Sequence, residues 1–206
     1  LRIDGVASMI ELNHGLDGEP FRNHQGGTDR LEALAFLREL NTIIFRDFPF
    51  AIMSAEDSTA YPMVTWPVDK GGLGFNLKWD MGWMHDTLDY MKTDPMFRNR
   101  FHHLLTFSMA YAFNENFILP LSHDEVVHSK RTILDKMFGD YEMKFDQFRI
   151  LFGYLMTHPG KKLSFMGNEF APFLEWRVDE SLEWFLLDYQ KHREIHSYIK
   201  DLNKFY

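Results

Sequence analysis

With 206 residues, 45% of them hydrophobic and 16% aromatic, the chain has apolar material for one substantial core or at most a domain and a half, which favours an enzyme. A net charge of −8 and a pI near 5.6 argue against nucleic acid or an anionic membrane as the main partner, because either needs a basic face. The lack of cysteine excludes disulfides, thiolate metal sites and a cysteine nucleophile, and fits a reducing, cytoplasmic location.

No stretch reaches the roughly 18 apolar residues of a membrane-spanning helix, and no signal-peptide pattern opens the chain. It starts at Leu1 rather than Met, in what reads as the middle of a strand, which points to a piece of something longer. Leu1 to Ile3 is that strand's end, and a polar loop rich in Gly, His and Asn runs from about Glu11 to Asp29. Leu31, Leu34, Ala35, Leu37, Ile44 and Phe45 recur at helical spacing, so a helix is expected over 31–48, capped by Thr28 or Asp29 and stopped by Pro49. A strand over 50–55 follows, then a turn-rich stretch with Pro62, Trp66, Pro67, Gly71 and Gly72, and a strand over 74–79. Helices are expected over 81–91, ending before Asp94-Pro95, and over 103–112, leading into a strand over 117–121. Beyond a basic loop around Lys130 and Arg131 come an apolar helix over 143–157 stopped by Pro159-Gly160, a strand over 162–166, an aromatic loop and a terminal helix over 187–203.

Four of the strand-like runs end in acidic or His-acidic groups: at Asp4, at Glu56-Asp57, at His123-Asp124-Glu125 and at Glu169. Helical patterns separate them, so a parallel βαβ sheet would carry all four to its carboxyl edge, where α/β barrels do their chemistry. A pair of carboxylates there suits glycosidic-bond cleavage: one protonates the departing oxygen while the other attacks the anomeric carbon or activates water. An isolated acid after a strand is ordinarily a cap or loop residue, and only the alignment of Asp4, Glu56 and Asp124 raises the catalytic reading to a serious one. Arg2, two residues before Asp4, lies on the same strand face and could hold that carboxylate ionised. His123 could donate to a sugar hydroxyl.

These words carry a family resemblance. Leu1-Arg2-Ile3-Asp4-Gly5-Val6, Ala55-Glu56-Asp57-Ser58-Thr59, Lys78-Trp79-Asp80-Met81-Gly82-Trp83-Met84-His85-Asp86-Thr87-Leu88, Ser122-His123-Asp124-Glu125-Val126-Val127-His128 and Phe165-Met166-Gly167-Asn168-Glu169 resemble the later signature regions of the α-amylase superfamily. In detail they are similar to those of the glycogen-branching enzymes. The resemblance spans essentially the whole chain, in the family's order, and the run from Trp79 to Leu88 is specific to branching enzymes and near relatives.

The resemblance implies an α/β fold made of part of a (β/α)8 TIM barrel, strands four to eight with their helices. Residues 1–206 would be the C-terminal half of the catalytic barrel, with the N-terminal half-barrel and flanking β domains absent. It also implies catalytic roles: Asp4 as nucleophile, Glu56 as general acid/base, and Asp124 as a third carboxylate gripping sugar hydroxyls. Arg2, His123 and Trp79 become substrate-site residues, Arg2 as the partner of Asp4. The reaction implied is a retaining double displacement that cleaves an α-1,4-glucan and passes the chain to a 6-hydroxyl, forming the α-1,6 branches of glycogen. Neither a metal nor an organic cofactor is expected. Glu56 should sit in the less polar setting, because an acid must hold its proton, while Asp4 needs Arg2 to stay anionic.

Plainer readings stand beside these. Trp66, Trp79, Trp83 and Trp176 could stack on glucose rings, yet large aromatics near barrel ends are more often packing. His123 and His128 are five residues apart and fit neither helical zinc motif. His102 and His103 read as helix-start or surface residues, Gly71-Gly72-Leu73-Gly74 as a turn without the phosphate-loop lysine, and Glu169 as support. Asp80 stands where the family usually has Asn, and Ser129 where it usually has Gly, which touches acceptor or chain-length preference. A closed barrel typically takes about 250 residues, so the chain alone is expected to be inactive, either pairing with a complementary half or self-associating through exposed strand edges. The alternatives are a related α-glucan hydrolase of amylase, debranching or trehalose-releasing type, against which the Trp79 to Leu88 run argues, and a non-catalytic glucan-binding half-barrel.

Overall fold

The computed structural model describes residues 1–206. Five strands form one sheet: β1 (Arg2–Ile3), β2 (Ser54–Ala55), β3 (Leu77–Trp79), β4 (Phe117–Leu121) and β5 (Lys161–Ser164), side by side in chain order. β1 to β4 pair in parallel, with Ile3 opposite Ala55, Ala55 opposite Lys78 and Lys78 opposite Phe117. Seven α-helices alternate with them: α1 (Val6–Ile10), α2 (Leu31–Asp47), α3 (Met81–Lys92), α4 (His103–Thr106), α5 (Ile133–Lys136), α6 (Tyr141–Thr157) and α7 (Gln190–Phe205). This is the α/β, barrel-type architecture expected. The chain divides into two compact units, Leu1–Met81 with Tyr111–Ile118, and Gly82–Ala110 with Leu119–Tyr206.

In the first unit, Val6 and Ile10 of α1, Leu34 and Leu37 of α2, and Met53, Ala55, Val64, Leu73 and Phe75 form the core. α2 spans almost the predicted range, but its N-cap is Arg30, with no side-chain cap, rather than Thr28 or Asp29. The Arg30 amide instead donates to the Ile10 carbonyl, so a tertiary bond fixes the entry where a local cap was expected. α1 lies in a stretch too short for periodicity to reveal. β2 is four residues shorter than its apolar pattern: the Met53 amide takes the Asn76 side-chain oxygen at 2.7 Å instead of a ladder partner, and Phe50 is 98% exposed. The glycine turn is present, and Gly72 is required there, because a Cβ would lie 2.1 Å from the Trp66 carbonyl oxygen.

In the second unit, α6 is capped by Asp140, whose side chain accepts from the Met143 amide, and begins at Tyr141, two residues earlier than apolar spacing indicated. Its Phe145, Phe148, Leu151, Phe152 and Leu155 are fully buried, and α7 packs on it with Ile195 and Ile199 inward. His192 is buried with them, its Nδ1 2.8 Å from the Phe170 carbonyl oxygen. The helix expected over 103–112 is broken into α4 and a 3-10 turn over Phe107–Ala110. Tertiary bonds hold that stretch, with the Tyr154 hydroxyl donating to the Leu105 carbonyl at 2.6 Å and the Ser108 hydroxyl 2.9 Å from His158 Nε2. No helix is long and apolar enough to cross a membrane.

Candidate active site

Asp4 directly follows β1 and Glu56 directly follows β2, so the register that pairs Ile3 with Ala55 delivers both carboxylates to neighbouring strand ends. The backbone holds them there: the Glu56 amide donates to the Ile3 carbonyl at 3.0 Å, and the Val6 amide donates to the Glu56 carbonyl at 2.9 Å. Gly5 makes the intervening turn in the left-handed region, φ 58°, which a glycine adopts without a Cβ penalty. Its amide donates to Glu56 Oε2 at 3.0 Å.

One nitrogen of Arg2, Nη2, bonds both carboxylates, Asp4 through Oδ1 and Glu56 through Oε2 at 2.7 Å. Two bonds from a single atom keep those carboxylate oxygens within about 6 Å of each other. Asp4 is 81% exposed at its side chain, whereas Arg2 and Glu56 are 28% and 21%. Burial pushes the Glu56 carboxyl up, but the Arg2 guanidinium and the Gly5 amide outweigh it, so its pKa lies below the ordinary glutamate value. The expected apolar, proton-holding setting is therefore not what surrounds Glu56; a cation and an amide aimed at its oxygen favour the ionised form.

Trp79, expected to contact substrate, is only 5% exposed, and the Arg2 guanidinium lies over its ring at 4.5 Å from the centroid. One face of its ring is covered by a cation and the residue is buried, so no face is open to a sugar in this structure. Asp80 is likewise buried, accepting from the Tyr111 hydroxyl at 3.1 Å. That places this departure from the usual Asn in the packing behind β3, not on a substrate-facing surface.

Sequence reading missed the residues behind Glu56. Lys78 and Asp57 form an ion pair at 2.9 Å with side chains 5% and 0% exposed. The readable signal was a lysine between Leu77 and Trp79 in an apolar strand pattern, since a charge in such a position needs a partner.

In the second unit, Asp124 stands in the 3-10 turn His123–Glu125 that follows β4, with Ser122 accepting from the Asp124 amide at 3.3 Å. His123 Nε2 lies 3.2 Å from Asp124 Oδ1, and the two side chains are 36% and 40% exposed. Glu169 accepts from the Gly167 amide at 2.8 Å, so it braces the turn after β5. Trp83 is buried against Tyr154 and His158, Trp176 meets Phe165 edge-on, and Trp66 is half exposed. No group of three or more His, Asp or Glu is placed to hold a metal ion.

No protein-family model matches the chain. Among curated proteins it is 55% identical over 207 residues to the 1,4-alpha-glucan branching enzyme GlgB of Halothermothrix orenii. It is 53% identical to that of Oceanobacillus iheyensis and 54% identical to that of Aquifex aeolicus. Each match takes in all of this chain and 32–33% of the relative, so the chain spans about a third of the length of the curated relatives it matches. Among solved structures, the cyclic alpha-maltosyl-(1→6)-maltose hydrolase of Arthrobacter globiformis aligns with TM-score 0.59 at 14% identity, over 84% of this chain and 37% of that one. Its ligand-free form aligns at 0.56 over 93% and 40%. At that identity the structural likeness speaks for the fold alone, while the sequence likeness takes in the whole of this chain. Over its whole length the chain is 53–55% identical to the matching third of proteins named 1,4-alpha-glucan branching enzyme GlgB.

Proposed function

We propose that the protein is a glycosyltransferase that cleaves an α-1,4-glucan and transfers the freed chain to a glucan 6-hydroxyl by retaining double displacement. The observation that carries this reading is Arg2 Nη2 bonded to both Asp4 and Glu56. A pair held so closely suits the roughly 5–5.5 Å of a nucleophile with its acid/base better than the about 6.5–9.5 Å of an inverting pair. Identity of 53–55% to proteins named branching enzymes supports transfer to glucan rather than to water. A cytoplasmic setting is consistent with the absence of cysteine.

In the first step the Asp4 carboxylate forms a bond to the anomeric carbon as the glycosidic C–O bond breaks, and Glu56 gives its proton to the departing 4-oxygen. In the second, Glu56 takes the proton of a 6-hydroxyl, whose oxygen attacks the same carbon and releases Asp4. Asp124 and His123 bind hydroxyls of the distorted sugar. Because Arg2 favours the ionised form of Glu56, the acid step requires Arg2 to turn wholly to Asp4; burial then governs Glu56 and raises its pKa.

The test uses the full-length gene product and amylose, scoring new α-1,6 linkages by proton NMR and new reducing ends separately. Asp4→Ala and Glu56→Gln are each expected to abolish branch formation, by about 10³-fold or more, with glucan binding nearly intact. Reducing ends without branches in the parent protein would show a hydrolase, and branching retained in either variant would remove that residue from its role.

A further inference from the structure

We infer that Lys78 and Asp57 are positioning residues for the acid/base function of Glu56, which rests on the reading just proposed. Asp57 is the next residue after Glu56, and its two carboxylate oxygens are all engaged. Oδ2 pairs with Lys78 Nζ at 2.9 Å and accepts from the Thr59 hydroxyl at 3.2 Å, while Oδ1 accepts from the Thr59 amide at 3.0 Å. Lys78 Nζ donates further to the Thr59 carbonyl at 2.7 Å, and the Thr59 hydroxyl accepts from the Tyr61 amide at 3.1 Å. The segment just after Glu56 is thereby tied to β3, whose Lys78 lies opposite Ala55 in the ladder. On its other side the Glu56 backbone is bonded to Ile3 and Val6. Glu56 is thus clamped by backbone bonds toward β1 and, through its neighbour, by a buried charge toward β3.

Stability alone does not call for this pair. Removing two charges from water costs about as much as their attraction returns, and an apolar pair of the same volume holds a fold as well or better. What an ion pair adds is direction: three polar contacts at the Asp57 carboxylate admit one conformation of the 57–59 backbone, whereas a methyl-filled pocket admits several. The adjacent residue on β3 acts on the same carboxylate by another route, since Trp79 carries Arg2, which bonds Glu56. Successive strand residues point to opposite faces, so β3 fixes the Glu56 backbone with one side chain and the Glu56 cation with the next.

The experiment compares two donors in the full-length gene product: amylose, whose departing 4-oxygen needs a proton, and an α-maltooligosyl fluoride, whose fluoride leaves as an anion without one. In the apolar replacement Asp57→Leu with Lys78→Met, kcat on amylose is expected to fall about 10- to 100-fold with KM within about twofold, as for a displaced catalytic group. The first-turnover burst of fluoride release is expected to stay within about threefold of the parent, because Asp4 attack needs no acid for that donor. A second variant, Asp57→Asn, keeps an acceptor for Thr59 but loses the ion pair, and is expected to show the same split between donors at smaller size. A burst slowed in step with amylose turnover in a folded variant, or no loss on amylose in either, overturns the inference. Glu56→Gln run alongside separates the two levels: if it too keeps amylose branching, the assignment of Glu56 as the acid has failed and not the positioning role alone.

Discussion

In Arg2 one guanidinium bonds two carboxylates and lies over an indole ring, so a single side chain holds Asp4 and Glu56 together and lowers the Glu56 pKa. Arg2→Leu removes the strongest influence lowering the Glu56 pKa, leaving burial to push it upward. The alkaline limb of kcat/KM, which reports loss of the acid's proton in the free enzyme, is therefore expected to move to higher pH while kcat itself drops. A limb that stayed in place would show that Arg2 does not govern Glu56. The sign for stability is the reverse: a lowered folded pKa contributes stability above the ordinary glutamate value of 4.5, lost as the pH falls through the folded value. Much of this was legible in the sequence, because Asp4, Glu56 and the Arg2 partner stand in words whose spacing along strands is fixed at two residues per repeat. What was not legible is that Arg2 reaches across to Glu56, or that Trp79 faces Arg2, since both depend on the register of three strands and register is a tertiary property.

At the scale of the element, the loop that follows Asp124 is held against its own backbone preference. His128, Ser129 and Arg131 all have positive φ, 57°, 64° and 68°, each costing of order 1 kcal/mol for a residue with a Cβ. Ser129 stands where the resemblance led to Gly, and its φ gives the physical reason glycine suits that place. Two charged side chains keep the loop closed. Glu175 accepts from the Ser129 amide at 3.0 Å and the Arg131 amide at 2.6 Å, and buried Lys136 donates to the carbonyls of Glu125, Lys130 and Arg131. Burial lowers the Lys136 ammonium from 10.5 to about 8, so between those values the unfolded chain holds a proton that the folded chain has released. This group therefore makes folding more favourable as the pH rises through that window. Urea unfolding of the parent and Lys136→Met at pH 7.5 and 10.5 isolates that gain, which the variant is expected to lose; equal pH slopes would refute it. Sequence showed only a basic loop here, because a lysine that serves three carbonyls leaves no periodic or motif signature. Helices with an apolar stripe, α2 and α6, were legible to within two residues at the N-terminus, whereas strands shrank wherever a side chain such as Asn76 took over a ladder position.

At the scale of the whole chain, the order β1-β2-β3-β4-β5 was legible from alternating strand and helix patterns, since a parallel crossover places successive strands side by side. The sheet edge at β1 was legible too, but not the surface beside it. β1 has a single neighbour, β2, and an unpaired strand edge is a template for another chain. Next to it Leu1 is 71% exposed, Phe48 64% and Phe50 98%, and together with Ile44, Asp47, Pro49 and Ala51 they line an open, mostly apolar hollow of about 590 Å³, with Ile52, 59% exposed, next along the chain. A bare edge and a contiguous apolar patch are each a driver of association, and here they coincide on one unit. The 206-residue polypeptide is therefore expected to self-associate at micromolar concentration and to show no branching activity on amylose. Phe50→Lys with Ile52→Lys is expected to shift it toward monomer, because two charges on the patch oppose both edge pairing and apolar contact. Size-exclusion chromatography with light scattering, run beside the branching assay, decides between the outcomes. An active monomer of the unaltered chain would show that neither the edge nor the patch matters, while association that survives the double lysine variant would place the contact elsewhere on the molecule.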